Sequence, residues 1–182
     1  MRRFLLALAL TLSACASSTL LDRFAETHPE PPVSDMDALL AVALENALGD
    51  PDADLLQATS SSRVAVDARY YVEDASGWSR RPVTAAALPA GTDHTFVLLD
   101  EDQIYSLARE RDGFARVIMT LADVRADTAH VRVGMHRLSP SPGAQRSGVR
   151  PGFVGSGGSR TGRFVREGSA WVFDTWTGWI GS

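Results

Sequence analysis

The run Gly155-Ser156-Gly157-Gly158-Ser159 is of the kind whose bare backbone can cradle a phosphate. That chemistry needs a following Lys-Ser/Thr and a helix N-terminus to aim its N–H groups. Here Arg160-Thr161-Gly162-Arg163 follows and leads into a strand pattern, so the run reads as a bulge or a tight crossing of strands. His130 and His136 share one face of a strand, but six residues at ~3.3 Å set them about 20 Å apart. One metal ion with bonds near 2 Å cannot bridge them, and no Cys/His/acid cluster has metal-site spacing, so no metal or other cofactor is expected. Asp100-Glu101-Asp102 has the acids for a calcium or acid–base site. Its place at a helix start gives a structural alternative, since acids there complement the helix dipole. Arg80-Arg81 and Arg160/Arg163 have the charge to hold an anion, although exposed arginines are common. Trp171, Phe173, Trp176 and Trp179 fall within nine residues. Alternation sends Trp171 and Phe173 to the core. Trp176 and Trp179, with His94 beside a turn, are the candidate binding rim; core closure by large rings is the alternative. No residue is assigned a catalytic role.

Cys15 is the chain's one cysteine. Before it stand Arg2, Arg3 and the apolar run Phe4–Leu12, the layout of a secretory signal. A nine-residue helix is only ~14 Å long, too short for a hydrocarbon core of roughly 30 Å. It reads as an export signal, not a permanent span. Leu12-Ser13-Ala14-Cys15 resembles the lipobox of bacterial lipoproteins: an aliphatic residue, two small ones, then cysteine. The resemblance implies a diacylglyceryl thioether on Cys15, cleavage before it and an acylated new N-terminus. Two or more acyl chains anchor stably where one does not. Ala16, in place of the Asp that marks inner-membrane retention in enterobacterial-type lipoproteins, makes the outer membrane the expected destination in a diderm host.

Loss of Arg2 and Arg3 with the signal takes the formal charge from −4 to −6. An acidic balance argues against a nucleic-acid partner, which needs a basic face. All eighteen basic residues are arginine, and no functional reading is drawn from that. With Cys15 lipidated, no intrachain disulfide forms and the core must hold the fold.

These residues need elements to position them. The expected organisation is a signal over 1–14, a lipidated Cys15 and tether over 15–33, and one α+β domain over 34–182 with a flexible loop near 139–159. In the domain, Ser34 is an N-cap, with Asp35 and Asp37 in the first turn. Met36, Leu39, Leu40, Ala43, Leu44 and Ala47 make one helical stripe, ended by Gly49 as a left-handed cap. Asp50-Pro51 restarts a short helix. Val64, Val66, Ala68 and Tyr70 alternate with Ala65, Asp67, Arg69 and Tyr71, a strand pattern. A short strand over 95–99 precedes a helix capped by Asp100, carrying Ile104, Leu107 and Ala108, and stopped by Gly113. Phe114–Leu121 is β-rich. In 130–136, Val131, Val133 and Met135 face the core. Glu167-Gly168-Ser169-Ala170 is a hairpin turn. The expected architecture is N-terminal helices packed on one face of a curved antiparallel sheet.

Gly155–Gly158, Glu167-Gly168, Trp171 and Trp179-Ile180-Gly181 resemble the C-terminal pattern of small uncharacterised exported bacterial proteins. More loosely, residues 114–182 resemble the nuclear-transport-factor-like (SnoaL-like) cone. That fold hosts enzymes and binding proteins alike. An enzyme of this kind would bury titratable groups in the concave face, but the strands offer mostly Val, Ile, Met and Phe inward. The reading is therefore a membrane-anchored domain that binds a small ligand or an envelope protein. The alternative is a cone-like hydrolase, isomerase or lyase.

Overall fold

A computed structural model of the chain describes residues 34–49, 63–74, 77–144 and 149–181. Cys15 with its signal, the tether and the short helix expected after Asp50 lie outside the described residues.

Helix α1 spans Asp35–Gly49 and starts where the sequence implies. The Asp37 N–H donates to Ser34 Oγ at 3.1 Å, and the Ser34 N–H donates back to Asp37 Oδ2 at 3.3 Å. This reciprocal cap satisfies two otherwise orphaned donors. The stripe residues Leu39, Leu40, Ala43, Leu44 and Ala47 are fully buried, and each such leucine contributes about 2 kcal/mol of apolar transfer. Gly49 is still helical, with no left-handed φ, so the expected cap is not formed there. Asp35 ties the start of α1 to the far end of the chain. It pairs with Arg166 and accepts the Trp171 indole N–H at 3.2 Å. The Arg166 hydrogen bond holds its carboxyl below the usual 3.8.

The strands are β1 (Arg63–Asp67), β2 (Arg69–Asp74), β3 (Gly77–Pro82), β4 (Thr95–Leu99), β5 (Phe114–Val124), β6 (Thr128–Pro140), β7 (Phe153–Glu167) and β8 (Ala170–Gly181). Helix α2, Glu101–Glu110, joins β4 to β5. The described strands form one curved, unclosed sheet in the order β3-β2-β5-β6-β7-β8, with β1 between β4 and β5. The chain is α+β with helices packed on a curved sheet. The sheet is mixed rather than antiparallel throughout. The long strands β5 to β8 pair antiparallel, but β1 runs parallel to both β4 and β5, and β2 runs parallel to β5. Parallel strands need a crossover longer than a tight turn, and β4 is joined to β5 through α2.

The two helices occupy opposite faces. Val64 and Val66 of β1 join the core under α1, with Val117, Met119, Val131, Val133 and Phe164. Ala65, between them, joins a second core with Val97, Leu99, Phe114, Leu138, Phe153 and the α2 residues Ile104, Leu107 and Ala108. Successive strand residues point to opposite sides, so each helix has its own face.

Strand reaches Pro140 and resumes at Phe153, so the segment 139–159, expected as a loop, narrows to a connection over 141–152. The glycine run lies within β7 as a close crossing. A Cβ on Gly157 would sit 2.1 Å from the Met135 carbonyl oxygen, and one on Gly134 would meet the Ser159 Cβ at 2.8 Å. No helix N-terminus follows it, which removes the phosphate-loop reading.

Gly157→Ala should therefore destabilise the chain by more than about 2 kcal/mol through strain against the β6 backbone. Denaturant unfolding measures this, and a variant within about 0.5 kcal/mol of wild type contradicts the close crossing.

Candidate functional site: a cleft at the strand bend

The strand pattern over 64–71 is broken at one residue. Between Val66, opposite Val117, and Tyr71, opposite Thr120, the chain uses more residues than its partner strand does. The excess is a bulge that bends the strand at Ala68. The backbone there is fully used. The Ala68 N–H donates to the Leu99 carbonyl at 2.8 Å, and the Ala68 carbonyl accepts the Val83 N–H at 2.9 Å. Asp67 supports the bend from its side chain, with Oδ1 accepting the Arg69 N–H at 3.1 Å. This local acceptor is why Asp suits a turn better than an apolar residue. Its other oxygen, Oδ2, pairs with Arg116 Nε of β5 at 3.5 Å.

The bend opens a cleft on the α2 face, lined by Asp67, Arg69, Tyr71, Arg80, Glu101, Ile104, Tyr105 and Arg116, with a cavity of about 30 Å³. Arg80 reaches it from β3, pairs with Glu101 at 3.2 Å and lies 5.4 Å over the Tyr71 ring. Glu101 sits at the start of α2, which Asp100 and Gln103 cap reciprocally. Its second oxygen faces Arg150 Nε at 3.5 Å. Arg150 also pairs with Asp102 at 2.6 Å and stacks 4.5 Å over Tyr105, whose hydroxyl accepts the Arg150 N–H at 2.8 Å. The acids Asp100, Glu101 and Asp102 thus cap the helix and hold arginines.

Burial dominates the electrostatics at the bend. It pushes the Asp67 carboxyl above its usual 3.8, against the opposing pull of Arg116 and of the Arg69 N–H. It also raises the Tyr71 phenol, helped by the nearby Asp67 charge. His136 stands directly opposite Arg116 on β6. Burial and then the Arg116 charge lower its pKa, which favours the neutral ring.

The candidate rim residues do not converge on this cleft. Trp176 and Trp179 lie on β8 at one margin of the sheet, and His94 precedes β4 at the other. Trp176 packs on Phe173 at 4.9 Å, with Arg160 over its ring at 5.7 Å. Trp179 is 69% exposed. His94 meets Phe96 edge-on at 6.5 Å, and its buried Nδ1 has no hydrogen-bond partner among the described residues. Among the described residues no three His, Cys, Asp or Glu side chains gather as a metal site, and no helix is long and apolar enough to cross a membrane. Sequence reasoning singled out Arg80 and Glu101 but missed Asp67, Arg69, Tyr71, Tyr105 and Arg116. The available signal was the alternation itself, which put Asp67, Arg69 and Tyr71 on one side of one strand.

The Asp67 shift predicts a pH dependence. A carboxyl whose folded pKa is raised adds stability that is complete below its unfolded value and is lost as pH climbs through the folded value. The Asp67→Asn variant keeps an acceptor for the Arg69 N–H without titrating. The stability of wild type relative to Asp67→Asn should therefore fall as pH rises from 3 to 7. The opposite trend expected from Asp35 is common to both chains and cancels. Urea unfolding across that range measures it; a wild-type advantage over the variant that grows as pH rises contradicts the assignment.

Two solved structures show partial likeness. One is a candidate ketosteroid isomerase from Shewanella frigidimarina, at 10% identity over 82% of this chain and 96% of that one, with a TM-score of 0.28. The other is a candidate dehydratase of the NTF2-like family from Streptomyces avermitilis, at 19% identity over 71% of this chain and 70% of that one, with a TM-score of 0.19. No protein-family model and no curated protein matches the chain. At these TM-scores neither name carries over to this protein.

Proposed function

We propose that this chain is a lipoprotein held at the cell envelope through Cys15, whose folded domain binds a small ligand in the cleft at the strand bend. The observation that supports binding over catalysis is the state of the cleft's acids. Asp67 has one oxygen on the Arg69 N–H and the other on Arg116. Glu101 has one oxygen on Arg80 and the other on Arg150. Every oxygen of the two carboxylates already faces a protein donor, so a substrate proton would have to compete with an arginine or a backbone N–H for it. The lipid on Cys15 and the outer-membrane destination rest on Leu12-Ser13-Ala14-Cys15 and Ala16.

One observation favours the second reading, a hydrolase, isomerase or lyase. Asp67 is a buried carboxyl in a cleft with its pKa raised, and such groups are enriched at active sites.

Cys15→Ala should move the protein from the membrane fraction to the soluble fraction and abolish incorporation of labelled fatty acid. Unchanged, detergent-dependent membrane association rules out the anchor. A thermal-shift screen of small metabolites addresses the binding half, because a ligand of the folded state raises the unfolding midpoint. Hits recovered unchanged after incubation support a binding domain; hits converted to product shift the reading to the enzyme.

A further inference from the structure

We propose that the cleft receives the terminal oxyanion of a small molecule, a carboxylate or a phosphate, between the guanidinium groups of Arg69, Arg80 and Arg116. This rests on the ligand-binding reading above and names the class of ligand. The cleft holds three arginines against two acids. Each oxygen of both acids already faces a protein donor, whereas several guanidinium N–H groups have no such partner among the described residues. Arg116 uses only Nε on Asp67, and Arg80 uses only Nη1 on Glu101. The guanidinium of Arg69 makes no ion pair or hydrogen bond among the described residues; only its backbone N–H is engaged. The Tyr71 hydroxyl, at the same wall, also has no hydrogen-bond partner among the described residues.

An array in which N–H and O–H donors outnumber the acceptors and three guanidinium charges face two carboxylates suits an oxyanion and disfavours a cation. Size agrees. A cavity of about 30 Å³ has room for roughly two or three waters, the space of one anionic group and not of a whole metabolite. The rest of the ligand would lie outside in solvent. Two of the three arginines are also held in place in advance. Asp67 fixes Arg116, whose side chain is only 14% exposed, and Glu101 fixes Arg80. Guanidinium groups fixed in this way lose less side-chain entropy when they bind.

The full lipidated chain in non-ionic detergent is titrated calorimetrically with acetate, with inorganic phosphate and with acetamide, the neutral match of acetate. Saturable binding of acetate or phosphate in the millimolar range is expected, with acetamide at least about tenfold weaker. Stronger acetate points to carboxylates and stronger phosphate to phosphates; both support the oxyanion. Arg69→Gln and Arg80→Gln, at exposed positions the fold does not depend on, should each weaken the anion by about tenfold. If acetate and acetamide bind equally, and both bind less well to the variants, the cleft binds ligands but the oxyanion proposal falls. If anion binding survives Arg69→Gln and Arg80→Gln together, the anion sits elsewhere and the proposal falls. If neither anions nor acetamide saturate, the ligand-binding reading falls with it.

Discussion

Asp67 is the constraint on which the arrangement of this protein turns. A strand that continued straight through residue 68 would offer one edge to one neighbour. Bent at Ala68, it offers the same edge twice: residues 63–67 pair with β4 and residues 69–74 pair with β3. The Ala68 backbone joins the two, bonded to Leu99 on one side and Val83 on the other. Asp67 supplies the acceptor that the bend would otherwise deny the Arg69 N–H, and backbone donors buried without a partner are costly. One side chain thereby supports the bend, pairs with Arg116 and lines the cleft.

The two faces of the sheet differ in consequence. The face under α1 is packed with Leu39, Leu40, Leu44, Met119 and Phe164, all essentially inaccessible. It carries the larger of the two cores. The face under α2 is apolar only along Ala65, Val97, Leu99 and the inner side of the helix, and polar where the strand bends away. Burial works against the Asp67 charge there, so ionising the residue costs stability. Sites where local rules are broken in this way are where function concentrates.

What was legible in the sequence was local. The α1 stripe, its Ser34 cap, the Asp100 cap, the inward set Val131, Val133 and Met135, and the turn at Gly168-Ser169 all follow from periodicity or from one side chain meeting its own backbone. Strand β3 was not legible, because Trp78-Ser79-Arg80-Arg81-Pro82 is an exposed edge with no apolar alternation. The reach of β7 through its glycines was hidden for a related reason. Glycine there answers to the β6 backbone pressing against it, a contact no local pattern encodes. The cleft was hidden by distance along the chain. Asp67 and Arg116 are 49 residues apart and meet only because β1 lies parallel to β5. The same residues that spelled an ordinary alternating strand also carried the bend, since a bulge conserves the alternation on either side of it.

The proposed lipid on Cys15 and the cleft are independent parts of the account, one giving a place and the other a chemistry. Both depend on a folded domain whose geometry is set at the bend. Native-state amide hydrogen exchange on wild type and Asp67→Ala measures that most directly. The account predicts that the Arg69 and Ala68 amides, protected in wild type, exchange at least about tenfold faster in the variant, while the amides of the β5–β6 ladder keep their protection. Unchanged protection at Arg69 in Asp67→Ala would show that the bend forms without the carboxylate, and would contradict the account.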